Sequence, residues 1–256
     1  MKQRIVKSLL GCAAAAALVA GLIACGSDHS EGTVEKNNVT GATVTGGSGK
    51  VLATNTVDGK FPLDEDGPYK STGGIYTDMN GVVRNAPDLE ADKGSRNVTP
   101  MTTLYKYATP AVKEKLYELC EAAGVKPDTI VAATTIPPEL AAIKKLNETV
   151  GEALTQIKDG KASSTATAAF IQNLATSIAN LSSLDDVKAG STMVNLVTTA
   201  ATSTTSLTVG IDKTKLTSIA NTTVAGTTIP APPASNSTPT VVTGTTGGTS
   251  GGTSVK

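Results

Sequence analysis

Histidine and cysteine, which carry much of the nucleophilic and metal chemistry of proteins, are scarce in this chain of 256 residues. His29 is the only histidine, and it lies close to the N-terminus. Ser-His-Asp and Cys-His mechanisms, and zinc sites built from several histidines, are therefore excluded from the folded part. The three cysteines are Cys12, Cys25 and Cys120, and each has a different sequence context.

Two glycine-rich segments match short catalytic or phosphate-binding patterns but lack the surroundings that those patterns need. Residues 248–252 fit G-x-S-x-G, yet they lie in a low-complexity segment with no helix after them. Residues 46–50 (GGSGK) lack the earlier glycine of a phosphate-binding loop, and Val51 stands where Ser or Thr is required. The sequence therefore predicts no catalytic and no cofactor-binding residue.

Two acidic turns place oxygen ligands next to glycine, as calcium loops do. They are Asp64-Glu65-Asp66-Gly67 and Asp78-Met79-Asn80-Gly81. Neither extends into the twelve-residue EF-hand pattern that ends in glutamate, so we expect charged hairpin turns and no metal ligands. Calcium binding at these turns stays open from the sequence. A carboxylate pair for glycoside hydrolysis chosen from 22 acidic residues means nothing without geometry.

The N-terminal segment has the layout of a secretory signal peptide. Three basic residues within the first seven precede an uncharged, mostly apolar run over residues 8–24, which is short for a membrane-spanning helix. Leu22-Ile23-Ala24-Cys25 resembles the lipobox of bacterial lipoproteins. That resemblance implies cleavage before Cys25 and lipid on the Cys25 sulfur, which would hold the protein on a membrane.

The predicted cleavage changes the charge of the chain and limits its partners. Removal of residues 1–24 takes away three of the 22 basic residues, so the net charge becomes −3. No cluster of Lys and Arg remains to neutralise phosphates, and nucleic acid is therefore not an expected partner. We expect the membrane as a partner through lipid on Cys25, together with a protein of the cell envelope. Gly26, rather than Asp, follows Cys25, which by the same resemblance favours the outer membrane in a Gram-negative host.

The stretch from about residue 51 to residue 91 has short apolar pairs separated by hairpin turns such as Asp58-Gly59 and Asn80-Gly81. Residues 54–63 (TNTVDGKFPL) with 67–69 (GPY) resemble the carboxypeptidase regulatory-like β-sandwich, in which this motif forms two adjoining strands. Residues 86–89 (APDL) and 97–104 (NVTPMTTL) are similar to uncharacterised envelope lipoproteins with an NVTPLTTL segment. The resemblance covers about 41–104 and implies a sandwich followed by helices, with binding or spacing rather than a reaction.

From Thr109 onward the apolar period becomes helical. The pattern predicts helices over about 110–123, 137–159, 163–181 and 185–204, with a short fifth over 212–220. Short links between amphipathic helices indicate an antiparallel bundle. Cys120 lies on the apolar stripe of the first helix, so we expect its thiol to be buried.

These patterns together predict an α+β fold, in which a small antiparallel β-sandwich-like domain precedes an α-helical bundle and both termini are disordered. The predicted divisions are a signal peptide over 1–24, a flexible tether over 25–40, the β domain over 41–104, the bundle over 105–225, and a disordered Gly/Thr/Ser/Pro tail over 226–256. The change of period near Thr99–Thr109 predicts that the helical part folds alone.

Three functions fit this organisation. The first is a lipid-anchored cell-envelope protein with a structural or protein-interaction role and no catalysis. The second is an envelope binding module that holds an apolar ligand or a partner helix in its bundle, which a cavity there would support. The third is an enzyme, which a pair of carboxylates in a cleft would support.

Overall fold

The computed structural model describes residues 31–54, 56–63, 67–131 and 135–234. Its eight strands are β1 (Glu31–Val34), β2 (Thr40–Thr45), β3 (Val51–Ala53), β4 (Lys60–Pro62), β5 (Tyr69–Thr77), β6 (Val83–Asn85), β7 (Leu89–Ala91) and β8 (Asn97–Val98). Its six α-helices are α1 (Pro100–Tyr107), α2 (Pro110–Ala122), α3 (Ala141–Asp159), α4 (Ser164–Ala179), α5 (Gly190–Ser203) and α6 (Lys213–Asn221). The α+β prediction is confirmed.

The strands form two small sheets. The first sheet has the order β4-β1-β8. In the second sheet, one edge of β5 pairs with β2, and the opposite edge pairs with β7 and β6. Strand β3 pairs with the far edge of β2 and extends this sheet. All pairings are antiparallel except that of β1 with β8. Strands β4 and β5, which contain parts of the TNTVDGKFPL and GPY motifs, are therefore in different sheets. The Phe61 and Tyr69 rings of these strands pack edge to face, with 5.2 Å between their centroids.

The first strand lies inside the segment predicted as a flexible tether. Residues 31–34 form β1, residues 35–38 form a turn, and β2 begins at Thr40. The tether prediction is therefore wrong for residues 31–40, because Val34 and Val39 pack into the core although glycine, threonine and asparagine surround them. Residues 25–30 lie outside the described part of the chain.

The predicted helices are confirmed to within a few residues, with local signals at several of their ends. Thr109 caps α2, Pro110 occupies its first turn, and Gly124 follows at a φ of 72°. The fourth predicted helix is divided into a 3₁₀ segment over Leu184–Lys188 and α5. The sequence analysis missed α1, although Thr99 and Thr102 form its capping box.

Helix α3 lies at the centre of the molecule, with 16 of its 19 residues buried. It contacts α1, α5 and α6, and its side chains also reach the strand region. The buried apolar residues of strands and helices form one continuous core. This shared core removes the physical basis for expecting the helical part to fold alone.

The first residues of the predicted tail also pair with the fold. The Ile136 amide donates to the Thr227 carbonyl at 2.9 Å, and Thr135 bridges Thr228. The prediction of disorder is therefore wrong for these residues, whereas 235–256 lie outside the described part. Among the described helices, none has both the length and the apolar composition needed to cross a membrane.

Candidate functional site

A buried charge cluster joins the turn after β1 to the middle of α3. We define this buried charge cluster as Glu35, Lys36, Asn37, Lys144 and Glu148, whose exposed fractions range from 0 to 3 %. Lys144 and Glu148 are four residues apart and therefore lie on one face of α3. The turn brings three consecutive polar residues to that face, with Asn37 at a φ of 56°.

Each charged group of the buried charge cluster has an opposite partner. The Lys36 ammonium donates to Glu148 Oε2 at 2.7 Å and to the Glu148 carbonyl at 3.0 Å. Lys144 Nζ lies 3.1 Å from both Glu35 Oε1 and Glu148 Oε1. The cluster thus contains two carboxylates and two ammonium groups, so it has no net charge. This neutrality permits its burial, because an unpaired charge is strongly disfavoured in a protein interior.

The two helix residues of the buried charge cluster remain ionised. Burial alone would raise the pKa of Glu148, but Lys36 and Lys144 together lower it. Burial alone would lower the pKa of Lys144, but Glu148 and Glu35 together raise it.

Asn37 is held within the same cluster by three hydrogen bonds. Its Nδ2 donates to the Thr77 carbonyl at 2.9 Å and to Glu148 Oε2 at 3.3 Å. Its Oδ1 accepts from Lys144 Nζ at 2.5 Å. The side-chain amide is therefore placed between an amine and a carboxylate.

Gly151 provides the space that the Lys36 side chain occupies. A Cβ added to Gly151 would lie 2.2 Å from Lys36 Cε and 2.5 Å from Lys36 Cδ. The ammonium beyond these carbons lies 4.7 Å from the ring centroid of Tyr76, within the range of a cation–π interaction. A larger residue at 151 would therefore displace Lys36 from its partners.

A separate cleft of about 250 Å³ opens between β5, β7, α1, α3 and α4. Its apolar surface comes from Leu154, Ile157 and Ile171, and its charged groups include Lys158 and Glu90. This volume lies slightly below the roughly 300–1,000 Å³ typical of ligand pockets, and a helix about 10 Å wide would not fit. The cleft therefore suits a small ligand.

The Glu90 carboxylate, which lines the cleft, contacts three polar side chains. Its carboxylate lies 2.7 Å from Lys106 Nζ and 3.4 Å from Lys70 Nζ, and it accepts from the Tyr107 hydroxyl at 3.2 Å. Burial would raise the pKa of Glu90, but Lys106 and then Lys70 lower it overall. Burial and the Glu90 charge raise the pKa of Tyr107 to about 12, so the phenol stays protonated.

Asp88 and Glu90 both line the cleft, as a carboxylate pair for catalysis would. A glycosidase pair needs one acid that stays protonated beside an ionised partner. The lowered pKa of Glu90 keeps it ionised, and Asp88 Oδ1 pairs with Lys158 Nζ at 2.7 Å. Both carboxylates are thus paired with lysines, unlike the protonated acid of a glycosidase pair.

The other residues singled out in the sequence have structural positions or lie outside the described part. Gly46–Lys50 connects β2 to β3, with the Gly46 amide donating to the Lys50 carbonyl at 2.8 Å. Asp78 is fully buried and accepts from the Asn80 and Val82 amides and from Arg84 Nε, so its oxygens are engaged within the hairpin. Among the described residues, no group of His, Cys, Asp and Glu could hold a metal ion. Cys25, His29, the acidic turn at 64–66 and the segment 248–252 lie outside those residues.

The Cys120 thiol is buried, as predicted. Its burial raises the pKa of the thiol to about 12, which leaves little reactive thiolate. A structural role in packing α2 against the core follows.

Comparison of the chain with protein-family models, with curated proteins and with solved structures finds no match. Sequence reasoning missed the buried charge cluster, since Glu35, Lys36 and Asn37 resemble a polar tether and only the fold brings them to α3.

Proposed function

We propose that this chain is a lipid-anchored cell-envelope protein with a structural or protein-interaction role and no catalysis. The observation that carries the proposal is the basic, apolar and lipobox-like order that ends at Cys25, only six residues before β1 begins at Glu31. Six residues span at most about 20 Å, so lipid on Cys25 would keep the fold close to the membrane surface. Gly26 favours the outer membrane in a Gram-negative host.

Fractionation of cells expressing the full chain tests the anchor. Cys25→Ser should move the protein from the membrane fraction to the soluble or unprocessed pool and abolish incorporation of a labelled fatty acid. Cys12→Ser is the matched control, because Cys12 lies in the same N-terminal segment but outside the lipobox-like tetrad. An unchanged membrane fraction for Cys25→Ser would contradict the proposal.

The cleft favours a second candidate, an envelope binding module for a small ligand with an apolar part and a charged group. Its apolar surface and its paired lysines and carboxylates support such a ligand, and its size argues against a partner helix. Ala162 lines the cleft between α3 and α4 and is partly exposed, so Ala162→Phe should place a ring in the cleft, and circular dichroism checks that the variant remains folded.

The dye anilinonaphthalene sulfonate, which combines an apolar body with an anionic group, is a direct probe of this cleft. Saturable binding to the full chain that Ala162→Phe reduces at least tenfold would support the second candidate. Ala111→Phe, on the exposed surface of α2 and away from the cleft, is the control and should leave binding unchanged. Equal binding to all three proteins would refute a ligand site in the cleft.

A further inference from the structure

Within the buried charge cluster, three groups have the arrangement needed to form an amide bond between two side chains. Lys144 Nζ lies 2.5 Å from Asn37 Oδ1, and the C=O bond adds about 1.23 Å, so the amide carbon lies within about 3.7 Å of the amine. Reacting atoms in near-attack arrangements lie about 3–3.5 Å apart. This upper limit holds for a collinear arrangement, and a hydrogen bond that bends at Oδ1, as carbonyl oxygens prefer, brings the amine closer to the carbon and toward that range.

Glu148 contacts both reacting groups. Its Oε1 lies 3.1 Å from Lys144 Nζ, and its Oε2 accepts from Asn37 Nδ2 at 3.3 Å. One carboxylate can thus take a proton from the amine on one side and return it to the leaving nitrogen on the other. All three residues are at most 1 % exposed, so bulk water does not compete for the amide carbon.

We propose that Lys144 and Asn37 form an intramolecular isopeptide bond, with Glu148 as the proton carrier. The Lys144 ammonium transfers a proton to the Glu148 carboxylate, and the freed amine lone pair attacks the Asn37 amide carbon. The new C–N bond forms, the bond to Nδ2 breaks after Glu148 protonates that nitrogen, and ammonia leaves. The attacking nitrogen gives its second proton to Glu148. The Lys144 ammonium, the Glu148 carboxylate and the Asn37 amide thus become a substituted amide, a protonated Glu148 and ammonia, and no oxidant or other reactant is needed.

Lys144 and Glu148 form an ion pair before the reaction, so a proton must move from the ammonium to the carboxylate before the Lys144 nitrogen can attack. Lys144 also contacts Glu35, and Glu148 also contacts Lys36 and Asn37. Transfer from Lys144 to Glu148 turns two buried ions into two neutral groups, a change that a low-dielectric interior tolerates. The remaining pair in the buried charge cluster, Glu35 and Lys36, keeps it neutral overall.

The bond would close a loop that contains about half of the described residues. It joins the turn after β1 to α3, two positions that are 107 residues apart in the chain. Asn37 lies twelve residues after Cys25. A force applied through the N-terminal anchor would therefore pass at residue 37 into the central helix, and the strands between the two residues would be protected from unravelling.

Peptide mapping of the purified full chain tests the bond. Trypsin does not cleave after an acylated lysine, so a wild-type digest should contain peptide 37–50 joined to peptide 116–145. The mass of the joined species should be one ammonia below that of the two peptides combined. A succinimide at Asn37 would also lose ammonia, but it would leave the two peptides separate.

Three variants assign the roles. Lys144→Arg keeps the positive charge but should give no joined peptide, and Glu148→Gln should slow joining about 100-fold because the proton carrier is lost. Lys145→Arg is the matched control and should retain the joined peptide, because the Lys145 ammonium donates instead to the Lys188 carbonyl. Circular dichroism identifies the variants that remain folded.

The wild-type digest decides the question even where a variant fails to fold. Separate peptides 37–50 and 116–144 from natively folded wild-type protein would overturn the proposal. Joining that persists in a folded Glu148→Gln variant at the wild-type rate would overturn the role of Glu148.

Discussion

Replacement of Gly151 by alanine sets two effects of known size against each other in α3. In an ordinary helix interior, Gly→Ala stabilises by about 1 kcal/mol because alanine has the higher helix propensity. Here the added Cβ would lie 2.2 Å from Lys36 Cε, and Lys36 has no exposed surface into which it can move. Relief of this clash requires the ammonium to leave Glu148.

The loss of the Lys36–Glu148 ion pair should outweigh the gain in helix propensity. Breaking a buried ion pair costs about 3–5 kcal/mol, so after the gain in propensity Gly151→Ala should lower the free energy of unfolding by about 2–4 kcal/mol. Urea unfolding followed by far-ultraviolet circular dichroism measures this difference through linear extrapolation.

Measuring Gly151→Ala in a Lys36→Ala protein as well tests whether the Lys36 side chain causes the loss of stability. In Lys36→Ala the two closest carbons are absent and only Pro100 Cγ, at 3.2 Å, remains close to the added Cβ, so adding Gly151→Ala should then raise the free energy of unfolding by up to about 1 kcal/mol. An increase in stability on Gly151→Ala in the wild-type background would refute the reasoning, because it would show that Lys36 leaves its buried position without loss.

Three further predictions concern other parts of the molecule. The Cys120 thiol should resist alkylation until the protein unfolds, and Cys120→Ala should cost on the order of 1 kcal/mol of unfolding free energy, whereas Cys120→Asp should cost several. The pKa of Glu90 is lower in the folded protein than its value near 4.5 in the unfolded chain, so the ion pair with Lys106 stabilises the fold fully above pH 4.5. Urea unfolding should show that wild type is more stable than Lys106→Ala in that range. The difference should vanish as pH falls through the folded-state pKa of Glu90. A fragment over 109–223 should lack cooperative thermal unfolding, because it loses Glu35 and Lys36, which pair with Lys144 and Glu148 in the full chain. A sharp transition would show that the helices form their own core.

Local signals in the sequence were sufficient for the helices and several turns. Thr109 followed by Pro110, and Gly124 after the last apolar position, mark the ends of α2 through the capping and conformational preferences of those residues alone. The same reasoning correctly predicted that the Cys120 thiol is buried, since its helical spacing places it on the apolar stripe.

The buried charge cluster was decided only by tertiary structure. Lys144 and Glu148 at a spacing of four residues are compatible with an exposed helix pair, and Glu35–Asn37 with a solvated tether. Their burial depends on each other, because either set of charges can leave water only when the opposite set meets it. Hydrophobic periodicity describes one segment at a time and contains no information about a partner about a hundred residues away, so it predicted the elements of this fold but not the charged contacts that join them.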